Sequence, residues 1–344
     1  MGEQEASNII SGLGRLGAQW DGLPADVRNT IGLNFLAVLK ELGPQGLAMS
    51  IHGLGRMEAD WLSLPSAFCE NIVVALDRIS GAFNPQEVSN VLYGLGKMNA
   101  SWCTFSADLG AISSTDAYAE EEGVRLGGID VVQQIAQAAW LSTDLDGVGV
   151  DCAGVAHSYE HKHALPESTC HLLAQAVARE AWGMNAQGVS NVLWGLMLLG
   201  VHWNTDLSGT ARAALWDGLK REAFRMDEQE IGNTLLSLSK MHLTWAEVPY
   251  DVRCVLLDTL EARAPQFAPK GLVMALQALS RLGLSWASLA ELSGASVDVD
   301  VDSVSRVRGG AEQGAGVRVS LSSSSSLQVA LVDSAVRTLQ VKTM

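Results

Sequence analysis

Tryptophan recurs along this chain at a nearly constant interval. Trp20, Trp61 and Trp102 are 41 residues apart, and Trp203, Trp245 and Trp286 follow at spacings of 42 and 41. A fixed period of this size is the signature of a repeat architecture, in which each unit buries its apolar face against its neighbours. The period therefore limits the possible folds more strongly than the composition does.

The sequence between the tryptophans repeats as well. The segment NPQEVSNVLYGLGKMNASW, residues 84–102, matches NAQGVSNVLWGLMLLGVHW, residues 185–203, at ten of nineteen positions. The spacing from Trp102 to Trp203 is 101, which leaves room for one further unit and about 19 additional residues. Counting 41 back from Trp203 gives Lys162, beside a Leu-Pro pair like those of other units. We therefore predict seven copies, one of them a degenerate copy that ends near Lys162.

Each unit has the sequence pattern of two helices. The first helix begins at a Leu-Pro or Val-Pro pair, and proline suits the first helical position. The second begins at a short polar residue with glutamate three residues later, as in Asn84–Glu87 and Asp227–Glu230, which resembles a capping box. Two helices of about fifteen residues with short loops fill one period. We predict an all-α fold, a right-handed α-solenoid of helical hairpins with about seven repeats.

Glycines interrupt the second helix of most copies. At 100° per residue, Val88, Leu92 and Leu95 share one apolar face, whereas Gly94 and Gly96 lie on its two flanks. Glycine inside a helix costs about 1 kcal/mol relative to alanine, so it needs a geometric reason. We predict that these glycines let the backbones of stacked units approach each other, and that the recurring tryptophans belong to the core.

The repeats do not extend over the whole chain. We assign residues 3–290 to the solenoid, with an acidic insertion at about 105–125. Residues 291–344 form a low-complexity tail that we expect to be largely disordered, with a short amphipathic helix from Leu327 to Val341. The first copy consists of a second helix alone, without the first helix of its hairpin. This indicates a fragment of a longer array or an incorrect gene model.

Charge and composition exclude several classes of protein. The net charge is −15, and residues 103–170 alone contribute −9 from eleven acids and two Lys or Arg. Such a chain has no general attraction to nucleic acid, so DNA is not expected and an RNA site must be a local basic stripe. No apolar run reaches the ~18 residues of a membrane span. Five scattered cysteines, an odd number, favour a reducing compartment.

The polar face of the second helix is the candidate site. At one position the copies carry mostly cations: Arg15, Arg56, Lys97, His157, Leu198, Lys240 and Arg281. One turn earlier the copies carry the most variable set: Ser11, His52, Tyr93, Ala153, Trp194, Leu236 and Gln277. Two turns earlier they carry asparagine in four copies: Asn8, Met49, Asn90, Val150, Asn191, Asn233 and Met274. Constant cations beside variable polar and aromatic residues are typical of modular single-stranded RNA binding. A protein-binding surface and a plain scaffold remain the alternatives.

Two further motifs suggest other chemistry. His157 to His161 reads His-x-x-Glu-His, the pattern of inverted zinc peptidases, but it is in phase with the solenoid helix of the degenerate copy. Metal binding by His157 and His161 stays open, and we predict no metal site. The LGRLG and LYGLGK segments lie inside helices rather than after strands, which argues against phosphate loops. We therefore predict a protein that is not an enzyme and has no cofactor.

The NPQEVSNVLYGLGKM and MNAQGVSNVLWGL segments, each followed by tryptophan, resemble the Trp-bearing helical repeats of algal and alveolate proteins. They are similar to octotricopeptide and heptatricopeptide repeats, and to the repeat region of the RNA-editing substrate-binding complex subunit 6 domain and of FAST-kinase-like proteins. The resemblance implies RNA binding in mitochondria or plastids, in RNA processing or transcript stability. The start of the chain, GEQEASN after Met1, has no visible transit peptide, and without the resemblance we would expect a cytoplasmic protein.

Overall fold

A computed structural model describes residues 2–103, 164–285, 288 and 326–340, and this part of the chain is helical. The second helices of the repeats are α1 (Glu3–Arg15), α3 (Pro44–Arg56), α5 (Pro85–Lys97), α7 (Ala186–Leu198), α10 (Glu228–Lys240) and α12 (Pro269–Arg281). The first helices are α2 (Ala25–Val38), α4 (Ser66–Ile79), α6 (Glu167–Glu180), α9 (Gly209–Glu222) and α11 (Tyr250–Arg263). A short α8 (Trp203–Asp206) and a C-terminal α13 (Ser326–Gln340) complete the set. The predicted all-α class is confirmed.

The helices pack in two rows. Each second helix contacts the next second helix, from α1 through α3, α5, α7 and α10 to α12. The first helices form the other row, from α2 through α4, α6 and α9 to α11. The core lies between the rows and contains five of the six recurring tryptophans, which are 2% to 7% exposed; Trp286 lies outside the described residues.

The tryptophans also join successive repeats through the backbone. The amide of each of these five donates to the carbonyl that ends the next second helix, over 2.6 to 3.2 Å. The accepting carbonyls belong to Met57, Met98, Leu199, Met241 and Leu282. Because these carbonyls have no partner inside their own helix, the bonds complete each helix terminus and fix the offset between neighbours.

Second helices begin and end in a regular way. The side chains of Asn84 and Asp227 each accept a hydrogen bond from the backbone amide of the glutamate three residues later. The carboxylate of that glutamate accepts a hydrogen bond from the backbone amide of Asn84 or Asp227, so both predicted capping boxes are confirmed. Two residues after each second helix the backbone enters the left-handed region, at Gly17, Glu58, Asn99, Gly200, His242 and Gly283. This turn directs the chain back toward the tryptophan.

The glycines are contact points, as predicted. A Cβ on Gly195 would lie 2.5 Å from the Leu92 carbonyl group, and one on Gly55 would lie 2.6 Å from the Gly94 carbonyl oxygen. Such distances leave no space for a side chain, so consecutive second helices touch backbone to backbone. A Cβ on Gly12, at the same position in α1, would have no atom within 4 Å, because no other second helix precedes α1 in the described row.

The prediction of a degenerate copy between α5 and α7 is wrong. The two helices are in direct contact, and the Trp102 amide donates to Leu199 at the end of α7. Leu165 donates to Ser101 over 2.9 Å, so the chain resumes the repeat beside the point where it left. The Trp102–Trp203 spacing of 101 is therefore one period of 41 and an insertion of 60 residues. Residues 104–163, including the predicted insertion at 105–125 and His157 to His161, lie outside the described residues.

The helix that the sequence predicts within the C-terminal tail, Leu327 to Val341, is present. It forms as α13, and it packs against α11 and α12 with Leu327 and Leu331 buried. Leu327 and Leu331 are four residues apart and share one helix face, which gives α13 an apolar side to place on the last repeat. The sequence analysis did not predict this packing.

Candidate functional site

The cations of the second helices lie in one line at the edge where these helices end. We call Arg15, Arg56, Lys97, Lys240 and Arg281 the cation row. Each belongs to the last turn of its helix, and α7 interrupts the row with Leu198. Arg15, Arg56 and Arg281 are exposed, whereas Lys97 and Lys240 are half-buried. The packing of consecutive second helices therefore brings the predicted cations onto one surface.

Most members of the cation row have no ion-pair partner among the described residues. Four members form no ion pair or hydrogen bond with another side chain in the described part of the chain; these four are Arg15, Arg56, Lys97 and Lys240. Acids of the second helices stand in their first turns, for example Glu87, about 15 Å along the helix from Lys97. A separation of this size exceeds the screening length at physiological salt. The row is thus a local positive stripe on an acidic chain.

The residues between the cations and the helix starts include an aromatic pair. The rings of His52 and Tyr93, on neighbouring helices α3 and α5, have centroids 5.6 Å apart and are tilted by 41°. Both side chains are half-buried, so each ring presents only part of its surface to solvent. Trp194, also half-buried, occupies the same position on α7, and its neighbour Gly195 abuts the Tyr93 amide. His52, Tyr93 and Trp194 therefore follow one another along the row.

Electrostatic coupling shows that the pair and the cations form one surface. Burial lowers the pKa of His52, and the positive charges of Arg56 and Arg15 lower it further. Burial raises the pKa of Tyr93, and the charge of Arg56 opposes that shift. The charges of Arg15 on α1 and Arg56 on α3 thus act on the His52–Tyr93 pair, which spans α3 and α5.

Three of the four asparagines are less exposed than on a fully solvated face. Asn8 is exposed, whereas Asn90, Asn191 and Asn233 are half-buried between neighbouring helices. An amide in such a position retains donors and an acceptor for a ligand that lies along the row. The sequence placed these residues on the correct face, but it did not reveal how closely the adjacent helices enclose them.

A second series of arginines went unnoticed in the sequence. Arg78, Arg179, Arg221 and Arg263 end the first helices, and they donate to carbonyls of the preceding repeat over 2.8 to 3.2 Å. These guanidinium groups join successive repeats. Their 42-residue spacing from Arg179 through Arg221 to Arg263 was the signal that could have separated them from the cation row.

Exposed aromatic side chains lie at the opposite edge, where the first helices end. Trp182 is 75% exposed and Phe224 is 58% exposed, at equivalent positions of adjacent repeats. The Arg221 guanidinium lies 4.9 Å from the Trp182 ring centroid, and the Arg225 guanidinium lies 5.0 Å from that of Phe224. We call these four residues the aromatic edge. Sequence reasoning missed it because only the regularity of the buried tryptophans was followed.

The rest of the described surface offers little chemistry. A cavity of about 390 Å³ is an apolar groove between α1 and α2, lined by Ile9, Ile10 and Val27 among others. No cluster of three or more potential metal ligands occurs among the described residues. Among the helices that the structure describes, none has the length and apolar character needed to cross a bilayer. Neither a protein-family model nor a curated protein sequence matches this chain.

Proposed function

We propose that this protein binds single-stranded RNA along the cation row and is not an enzyme. The observation that carries the proposal is that four cations of the row, Arg15, Arg56, Lys97 and Lys240, have no ion-pair partner among the described residues. They stand on the same row of second helices as the His52–Tyr93 pair. Phosphate groups would pair with the cations, while His52, Tyr93, Trp194 and the half-buried asparagines would contact bases. One cation and one base-contacting position per repeat is the arrangement that a modular reader of single strands requires.

The proposal includes a right-handed solenoid as the frame of the RNA path. Six second helices stack in the described residues, and the cation position and the base-contacting position recur on successive helices, with Leu198 in place of the cation on α7. Helix pairs in contact are about 8–10 Å apart, and glycine at the contact favours the lower end of that range. The resemblance to octotricopeptide and related repeats supports a role in organellar RNA processing or transcript stability, in a mitochondrion or plastid.

A charge-reversal experiment tests the proposal. Arg56, Lys97 and Lys240 are changed together to Glu, and binding of a labelled single-stranded RNA pool is followed by fluorescence anisotropy over a range of salt concentrations. We expect the triple variant to lose its affinity for RNA. Each single reversal should flatten the slope of log affinity against log salt by about 0.7 for the phosphate contact that it removes. The fold should persist, because none of the three makes a hydrogen bond to another described side chain.

The matched control has the same change in net charge. Lys40, Lys220 and Lys270 are exposed and lie off the cation row, and changing all three to Glu leaves RNA affinity and its salt slope nearly unchanged. Equal losses in both triple variants would mean that only net charge matters, and unchanged binding in the first variant would refute the cation row as the site.

A protein-binding role is the second candidate, and the aromatic edge favours it. Exposed tryptophan and phenylalanine beside arginine are the residue types that dominate binding energy at protein interfaces. We expect a Trp182→Ala, Phe224→Ala double variant to lose a protein partner that co-purifies with the native chain, while RNA affinity is retained. A native chain that binds no RNA at low salt, but retains a stoichiometric protein partner through these two residues, would make this the principal function.

A further inference from the structure

Two cysteines meet where the repeat resumes after residue 163. Cys103 follows Trp102, and Cys170 lies in the first turn of α6, 67 residues later. The Cys103 amide nitrogen is 3.3 Å from the Cys170 sulfur. The adjacent backbone is fixed by a bridge between Ser101 and Ala164 and by the Leu165–Ser101 hydrogen bond. The fold, rather than sequence proximity, thus brings the two thiol side chains together.

The two thiols differ in their surroundings. Cys170 is 1% exposed, and burial, the nearby Cys103 thiol and the charge of Asp206 all raise its pKa. Cys103 is half-buried, and both residues are close to a small cavity of about 190 Å³ that is lined by Trp102, Cys170 and Asp206 among others. Because the thiolate is the reacting form, Cys103 is the thiol that a reagent from solvent meets, and Cys170 is reached through it.

The preceding repeat supplies a natural comparison. Cys69 occupies the position in α4 that Cys170 occupies in α6, and its thiol contacts the Trp61 carbonyl oxygen at 3.5 Å. The residue equivalent to Cys103 in that repeat is Leu62, so Cys69 has no second thiol at that position. Burial raises the pKa of Cys69 to about 11. Cys69 therefore shares the helix position of Cys170 and lacks only the partner.

We propose that Cys103 and Cys170 form a redox-active pair that a small-molecule disulfide, of the glutathione disulfide class, converts to an intramolecular disulfide. The Cys103 thiol loses its proton, and its sulfur attacks one sulfur of glutathione disulfide, so that a mixed disulfide forms and one glutathione leaves as a thiol. The Cys170 sulfur, on losing its proton, then attacks the Cys103 sulfur of the mixed disulfide and releases the second glutathione. Two protein thiols are oxidised and one glutathione disulfide is reduced to two thiols.

The cross-link has a structural consequence at the site of the insertion. It joins the residue that precedes the 60-residue insertion to the helix that follows it, and so closes a long loop. Closing a loop of this length reduces the entropy of the unfolded chain, and stabilisation increases with loop length. In a reducing compartment such a disulfide is transient and responds to the thiol–disulfide balance, instead of being a permanent structural bond.

The test uses the full chain, equilibrated with glutathione disulfide, alkylated and digested for peptide mass analysis. We expect a Cys103–Cys170 peptide cross-link, alkylated Cys69, and a melting temperature raised by several degrees in the oxidised protein. In a Cys170→Ala variant, Cys103 stops as the mixed disulfide with glutathione. In a Cys103→Ser variant, Cys170 stays alkylatable only after denaturation, and neither variant gains thermal stability on oxidation.

Several outcomes overturn the proposal. One is a native chain in which Cys103 stops at the mixed disulfide, because Cys170 would then not be in reach of it. Others are a cross-link from Cys103 to Cys69, Cys152 or Cys254, oxidation of Cys69 at the same rate as Cys103, and two thiols that remain reduced throughout. Circular dichroism of both variants confirms that they are folded, and RNA affinity is measured separately, so that failure here leaves the RNA proposal unaffected.

Discussion

At the scale of single residues, glycine determines how closely the repeats stack. Gly195 occupies a backbone contact with Leu92, while Gly12 occupies the same helix position with no neighbour. Alanine at Gly195 forces α5 and α7 apart, and we expect it to lower the free energy of unfolding by about 1–3 kcal/mol, as overpacking does. Alanine at Gly12 gains helix propensity without a clash, so stability should rise by about 0.5–1 kcal/mol.

Chemical denaturation of the two variants measures these opposite signs directly. The helix position and the substitution are the same in both, so the difference between them isolates the contact between helices. Two variants that are stabilised equally would show that the second helices do not touch at Gly195.

The charge on His52 is a second property of single residues. Its pKa lies below the ordinary value of 6.5, because burial and the charges of Arg56 and Arg15 disfavour its cation. As pH falls below 6.5 the unfolded chain takes up a proton first, so His52 reduces stability there and contributes no pH dependence above it. NMR titration should give a lowered pKa in the free protein, which rises in an Arg56→Gln variant.

The same titration reports on the proposed ligand. Phosphate groups on the cation row would offset the charges of Arg15 and Arg56, and therefore raise the pKa of His52 when RNA binds. A His52 pKa that is the same with and without saturating RNA would place the phosphates elsewhere.

The sequence predicted much at this scale. The spacing of glycine, tryptophan and the cations gave the contacts, the core and the cation row, because each depends on a position that recurs in every copy. Burial of Lys97, Asn90 and Trp194 was not predictable from one helix, since neighbouring helices cause it. The aromatic edge and the Cys103–Cys170 contact depend on chain segments that meet only after folding.

At the scale of elements, two series of cations have different roles. Arg179 donates to the Ser80 and Phe83 carbonyls and so connects α6 to the previous repeat, whereas Arg56 bonds to no acceptor among the described residues. Arg179→Met leaves carbonyls with fewer partners and should cost about 1.5–3 kcal/mol of stability. Arg56→Met should stay within about 0.5 kcal/mol of the native chain, as surface substitutions usually do.

Thermal unfolding of these two methionine variants distinguishes an arginine that joins repeats from one that binds RNA. In the RNA-binding assay we expect the opposite order of effects. The Arg56 variant loses affinity and keeps stability, while the folded fraction of the Arg179 variant keeps affinity. A large loss of stability in the Arg56 variant would make the cation row structural.

At the scale of the whole molecule, the row of repeats is continuous across the insertion. Deleting residues 104–163 joins Cys103 to Ala164 and gives Trp102 the same three-residue spacing to Leu165 that Trp20 and Trp61 have to their leucines. We expect this variant to fold with the native repeat packing and to unfold within a few degrees of the native chain, because the contacts of α5 with α7 do not involve the deleted residues.

The deletion also changes the net charge of the chain. It removes ten acids and two basic residues, so the net charge changes from −15 to −7. RNA affinity should therefore increase, most strongly at low salt, where long-range repulsion is least screened. An aggregated or partly unfolded product would show that the row of second helices needs the insertion in order to fold, contrary to what the direct α5–α7 contact predicts.

Whole-molecule features were the hardest to predict from the sequence. The period alone could not decide whether 101 residues contain two units or one unit and an insertion, because degenerate helical repeats and unrelated insertions look alike at this length. The packing of α13 on α11 and α12 was also hidden, since the serine-rich segment before it has the composition of a disordered chain.

Photo-crosslinking followed by peptide mass analysis shows whether single-stranded RNA lies along the second helices. We expect nucleotide adducts on peptides that contain His52, Tyr93 and Trp194, and we expect the Arg56, Lys97 and Lys240 charge reversal to remove them. Adducts confined to Trp182 and Phe224 at the aromatic edge, or no adduct with a chain that is folded and saturated with RNA, would contradict this placement of the RNA.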